Sequence, residues 1–152
     1  MNVKKMLRNS VFVAFSALAG CSSMNDMFHG NAAEGTLRSS SDIPAAQGKL
    51  AIKKSDGGNQ NVTVTVQHMA PASRVKEGAS TYVVWMKPYG GRGPINVGVL
   101  SIKKDLKGSL EFKTPFQQFD VFVTAEDSAI TQSPSQHKLL TAAVDLQNRA
   151  IR

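Results

Sequence analysis

The chain has 152 residues, 41% of them hydrophobic, 19% charged and 7% aromatic, with one cysteine and a formal net charge of +7. That length suits one domain rather than two, and one cysteine excludes an intramolecular disulfide framework. The composition is neither collagenous nor globally disordered, and no apolar run reaches the roughly 18 residues of a spanning helix.

The first twenty residues have the order of a secretory leader. Lys4, Lys5 and Arg8 form a basic start, Val11 to Ala19 is a short apolar stretch, and small residues follow. The sole cysteine comes directly afterwards, in Leu18-Ala19-Gly20-Cys21. This tetrad resembles the lipobox of bacterial lipoproteins, which has Leu, two small residues and an acceptor Cys. The resemblance implies cleavage between Gly20 and Cys21, a diacylglyceryl group on the Cys21 thiol, and acylation of the freed amine. A thiolate is the most nucleophilic side chain for such a transfer, and several acyl chains anchor stably where one binds only marginally. Ser22, rather than Asp, follows the cysteine. By the sorting rule of enteric lipoproteins this implies the outer membrane, with the chain facing the periplasm.

Cleavage at this point would remove three basic residues and no acidic ones, lowering the charge from +7 to +4. No basic stripe with interleaved aromatics remains, so nucleic acid is not an expected partner. The expected organisation is a signal peptide over 1–20, a lipidated flexible tether over 21–46 and a β domain over 47–152. The tether assignment rests on small and polar residues without a sustained period, which bury too little apolar area to offset their ordering entropy.

Beyond Ala46 short apolar segments alternate with turn signals. Leu50-Ala-Ile52 precedes the turn cluster Ser55–Asn59, and Val62 to His68 alternates strictly, as a half-buried strand does. Thr81–Lys87 is apolar on both sides, and Tyr89–Pro94 turns the chain into Val97–Ile102. Asp105–Gly108 has the composition of a tight hairpin turn with Gly108 at positive φ. Ser109–Lys113, Phe119–Ala125 and Lys138–Val144 complete the series. Seven short strands at this spacing predict a single all-β antiparallel sandwich of immunoglobulin or fibronectin type III character. Trp85 is the expected anchor between its sheets, packed with Val64, Val66, Val121 and Val123.

Tyr82-Val-Val-Trp85, Val97-Gly98-Val-Leu100, Val121–Glu126 and the Pro134 loop resemble the extracytoplasmic β-sandwich domain of anti-sigma-K-type factors. The likeness covers roughly residues 78–145 and implies a sandwich fold and an envelope location. The chain has neither a cytoplasmic sigma-binding segment nor a connecting transmembrane helix, so sigma regulation is an alternative function rather than the principal one.

Chemistry is sparse. No Gly-x-Ser-x-Gly elbow is present, and the lipobox resemblance commits Cys21 to lipid, so no catalytic residue and no cofactor are assigned. His68 is placed on the Val62-Val64-Val66 face and His137 at the start of the last strand, as packed or edge residues. Glu126 and Asp127 are sequence neighbours whose side chains point to opposite faces of a strand, which suits paired acid–base work poorly. Met24, Met27 and His29 bring thioethers and an imidazole together, ligands suited to Cu(I). With His68, Met69 and Met86 as added donors, copper binding is a second alternative function.

The principal expectation is a non-enzymatic, lipid-anchored envelope protein, held to the membrane through Cys21 and presenting a sheet face to another envelope protein. Its oligomeric state is left open. Alternation places Tyr82, Val84 and Met86 opposite Trp85, and Phe122 opposite Phe119, Val121 and Val123. Tyr82, Val84, Met86 and Phe122 are therefore the expected apolar contact patch. Lys103, Lys104, Lys107 and Lys113 read as a solvated rim that discourages edge pairing.

Overall fold

A computed structural model describes residues 32–91 and 93–152. Residues 1–20, where a signal peptide is expected, and Cys21, Met24, Met27 and His29 lie outside the described residues. The described chain is all-β: β1 (Ala32–Ser39), β2 (Gln47–Lys54), β3 (Gln60–Gln67), β4 (Thr81–Pro88), β5 (Ile95–Val99), β6 (Gly108–Thr114), β7 (Gln118–Glu126), β8 (Leu140–Asp145) and β9 (Ala150–Ile151). One short helix, α1 (Ala72–Val75), joins β3 to β4. No described helix is long and apolar enough to cross a membrane.

The strands pair antiparallel in the order β5-β4-β7-β8-β1-β2-β3-β6, with β9 on β8. The seven expected strands are β2 to β8. They divide into a layer of β2, β3 and β6 and a layer of β5, β4, β7 and β8, and the connections β3–β4, β5–β6 and β6–β7 cross between layers. β1 joins the layers on one side, since Ala32–Leu37 pair with β2 while Arg38 and Ser39 pair with β8. On the other side, β5 and β6 share no ladder, and Ile102, beyond the end of β5, makes an isolated bridge with Gly108 at the start of β6. The sandwich is thus nearly closed into a barrel, which shields edge strands that would otherwise template further pairing.

Gly98 lies at that closing side. Its φ is +141°, and a Cβ there would meet Leu110 Cδ1 at 3.1 Å, so both backbone and space favour glycine. In the turn after it, the positive φ belongs to Leu106 (59°) rather than to Gly108. Gly108 instead makes room for Ser101 O and Ile102 Cδ1, both 2.8 Å from where its Cβ would stand.

The core fills the space between layers. β3 sends Val62, Val64 and Val66 inward and leaves Asn61, Thr63, Thr65 and Gln67 half-buried outside, as period-two patterning requires. β7 contributes Phe119, Val121, Val123 and Ala125, and β8 contributes Leu140, Ala142 and Val144.

Two expectations change here. The tether assignment fails from Ala32 onward: Ala33, Gly35 and Leu37 face inward while Glu34, Thr36 and Arg38 are exposed. The period is two, but two of the inward residues are so small that composition conceals it. Gly35 has to be small, because its Cβ would lie 2.5 Å from Ile151 Cβ. Ile43 and Ala46 are buried as well, so the connection to β2 also belongs to the core.

The second change concerns β4. The register pairs Val84 with Val123 and Met86 with Val121, which puts Tyr82, Val84 and Met86 in the core between the layers. Trp85, paired with Phe122, forms a separate cluster with Phe122 and Val83. Trp85 is therefore not the inter-sheet anchor, and Tyr82, Val84 and Met86 are not a contact patch. Alternation sorts residues into two faces, yet when both are apolar it does not say which one is inside.

Candidate functional site

The outer face of the four-stranded layer carries the densest side-chain chemistry among the described residues. Strand register arranges it in rows. One runs Trp85, Phe122, Thr141, Arg38 across β4, β7, β8 and β1; the next runs Lys87, Asp120, Ala143, Arg152. Arg152 follows β9 and exchanges two backbone hydrogen bonds with Ala143, at 2.7 and 2.9 Å.

Half of this face is sealed. Trp85 and Phe122 stack with centroids 6.4 Å apart and planes 14° from parallel, and neither is exposed. Segment 127–139, between β7 and β8, adjoins them. Asn96, the β5 partner of Trp85, bonds its Ala129 and Thr131 carbonyls, and its Lys138 stands over the Phe122 ring. This segment therefore covers the Trp85 side, while the Phe122 edge borders the open half. The segment is held by a chain of polar contacts that begins beneath it. The Trp85 Nε1–H donates to Thr124 Oγ1 at 2.8 Å, and Thr124 Oγ1–H donates to Glu126 Oε1 at 2.5 Å. The same Glu126 oxygen accepts the Ser135 N–H at 2.7 Å. Glu126 is 4% exposed and Thr124 is fully buried. Buried polar groups need such partners, and here one carboxyl oxygen ties the indole to the covering segment. From β5, Asn96 Nδ2 donates to Ala129 O and Thr131 O at 3.0 and 3.1 Å. Ile130, between those two carbonyls, is 81% exposed.

The other half is open. A groove of about 390 Å³ runs over Thr141 and Ala143, with Arg38 and Arg152 on one side and Lys138 and Phe122 on the other. The Lys138 ammonium lies 4.5 Å from the Phe122 ring centroid, a cation–π distance. Asp120 also lines the groove and accepts the Tyr89 hydroxyl at 3.0 Å. That bond is the main reason the Tyr89 pKa is raised; burial and the charges of Asp120 and Asp145 add to it, while Arg152 opposes. Among the described residues the one ion pair within 4.0 Å joins Lys107 to Asp105, so Arg38, Lys138 and Arg152 face the groove without a paired carboxylate. At the end of β8, Asp145 accepts Asn148 Nδ2 at 2.7 Å and the backbone N–H groups of Gln147 and Asn148. These bonds, the Asn148 side chain first, hold its pKa below the ordinary value.

A second hollow, of about 400 Å³, lies where α1, the β1–β2 connection and segment 127–139 meet. Val75, Ala125 and Leu139 give it apolar walls, and Asp42, Lys76 and His137 stand at its rim. Ser135 Oγ donates to Ala125 O at 3.4 Å, rather than to His137.

The expected site residues are scattered. Tyr82 is buried, donates its hydroxyl to Ala70 O at 2.7 Å, and has its pKa pushed up to about 12 by burial. Val84 and Met86 lie in the core, and Phe122 lies under Lys138 on the opposite face. His68 leaves the Val62 face: β3 ends at Gln67, and His68 takes φ +58° and is exposed. Met69 is fully buried, so neither Met69 nor Met86 adds an accessible thioether to His68. No group of three or more His, Cys, Asp or Glu side chains placed to hold a metal occurs among the described residues.

Sequence reasoning missed Thr124, the burial of Glu126, Arg38, Lys138 and Arg152. Thr124 and Glu126 were within its reach, since they share the alternating face of Phe122. The three cations were not, because strand order brings positions 38, 138 and 152 together. Comparison with protein-family models and with curated proteins finds no match for this chain.

Proposed function

We propose that this chain is a lipid-anchored, non-enzymatic protein of the cell envelope, held at the outer membrane and facing the periplasm, whose sandwich is a binding module for another envelope component. The observation that carries this reading is Cys21, the sole cysteine, placed immediately after an apolar leader. A thioether-linked diacylglyceryl group plus an amide-linked chain gives the multiple acyl anchors that stable attachment needs. Ten residues lie between Cys21 and Ala32, the first described residue of β1. Even fully extended they span about 35 Å, so the domain works close to the membrane surface.

With Tyr82, Val84 and Met86 buried, partner contact falls to Ile130, which is exposed. Its segment is held on both sides by Asn96 and Glu126, so an exposed isoleucine is presented at small entropic cost. The decisive experiment is metabolic labelling with an alkyne fatty acid in the native host. Label and membrane retention in the wild type, both lost in Cys21→Ser, are the expected result. A soluble, unlabelled wild-type protein would overturn the anchored reading. Crosslinking in native membranes then tests the module: Ile130→Ser should weaken capture of a stoichiometric partner, and capture of none by the wild type would refute the binding role.

A further inference from the structure

We infer that the groove between Arg38, Arg152 and Lys138 is a binding site for a phosphoryl group. Three cations from distant parts of the chain line it, one near the end of β1, one before β8 and one after β9. None has a carboxylate within 4.0 Å among the described residues. All three are solvent-exposed, and an anion seated between them would accept charge-assisted hydrogen bonds from each.

The floor suits a compact tetrahedral anion. Thr141 and Ala143, two residues apart on β8, separate the rows that end in Arg38 and Arg152. Their Cα spacing is about 7 Å along the strand. Both floor residues are small, which leaves depth, and the Thr141 hydroxyl adds a donor. Two guanidinium forks give the paired donors that phosphate oxygens accept. Lys138, steadied over Phe122, adds a point charge from the opposite wall. Two acidic groups adjoin the groove: Asp120, which is engaged by the Tyr89 hydroxyl, and the carboxylate of Arg152 itself, which accepts the Ala143 N–H. The three cations outnumber them and leave the groove net positive.

A phosphoryl group reaches this site either on a small soluble anion or on a lipid headgroup. The second source is within reach. Arg38 lies about 20 Å along β1 from Ala32, less than the extended length of the ten residues that precede the strand. The site does not depend on Cys21 being acylated, so its test is made without the anchor.

The test uses the whole chain from residue 21 onward carrying Cys21→Ser. Inorganic phosphate is titrated while the Thr141 and Ala143 amides and the arginine Nε–H signals are followed by NMR. In a second arm the protein is sedimented with phosphatidylcholine vesicles, with and without phosphatidic acid. Saturable shifts confined to Thr141, Ala143, Arg38 and Arg152, with at least a tenfold loss of affinity in Arg38→Gln/Arg152→Gln, support the site and assign it a soluble phosphate. Sedimentation only with phosphatidic acid, lost in the same variant and kept in Lys103→Gln/Lys104→Gln, supports it with a lipid source. Absence of binding in both arms overturns the proposal. Equal losses in the two double variants would do so too, since that is the behaviour of diffuse surface charge.

Discussion

Replacing Glu126 by alanine removes the acceptor shared by two donors, the fully buried Thr124 hydroxyl and the half-buried Ser135 amide. A hydrogen bond to a charged group contributes about 1.5–3 kcal/mol net, so losing both places the cost at about 3–6 kcal/mol. The lower end is expected, because Thr124 still accepts from the Trp85 indole. That is a large share of the roughly 5–15 kcal/mol that holds a domain folded. Glu126→Gln keeps an acceptor oxygen in place and should cost about 1 kcal/mol, the difference between charge-assisted and neutral bonds. Urea unfolding followed by the emission of Trp85, the only tryptophan, measures both. Hydrogen exchange should show residues 127–139 opening faster in the alanine variant while β3 amides keep their protection. An alanine variant within about 0.5 kcal/mol of wild type, with unshifted Trp85 emission, would refute the claim that Glu126 pins the covering segment.

Two further predictions concern the core. Tyr82 has its folded-state pKa raised from 10.0 to about 12, so the folded state keeps a proton that the unfolded state releases. The stability this represents is complete below pH 10 and is lost as pH rises through the window from 10 to 12. Urea midpoints measured across that window should fall in the wild type and fall less steeply in Tyr82→Phe; equal slopes would remove Tyr82 as the cause. Gly35→Ala brings a Cβ to 2.5 Å from Ile151 Cβ and Cγ2 and should destabilise by about 1–3 kcal/mol, as overpacking does. Exchange should localise the effect to β9, and a variant as stable as wild type would show that β9 shifts freely.

Much of the architecture was legible in the chain. Val62-Thr-Val64-Thr-Val66, Phe119 to Ala125 and the turn clusters between them fix seven strands, because a half-buried strand must alternate and a turn needs small or polar residues. β1 escaped because Ala33 and Gly35 carry too little side chain to signal an inward face, and the reason for their size, Ile151, lies more than a hundred positions away. The single cysteine after a basic and then apolar opening is a local pattern, so the anchoring hypothesis needs no fold at all.

Which face of β4 is the core was beyond the sequence. Both Tyr82-x-Val84-x-Met86 and Val83-x-Trp85 are apolar, and only pairing with β7, and the folding of segment 127–139 over Trp85, decides that each face is buried and by what. The groove is tertiary in the same sense. Arg38, Lys138 and Arg152 have no sequence relationship; they meet because β1 and the end of the chain pair with the same edge of β8. Period and composition depend on neighbours along the chain and can be read there. Burial on a two-sided apolar strand, and the convergence of distant charges, depend on which strands lie side by side.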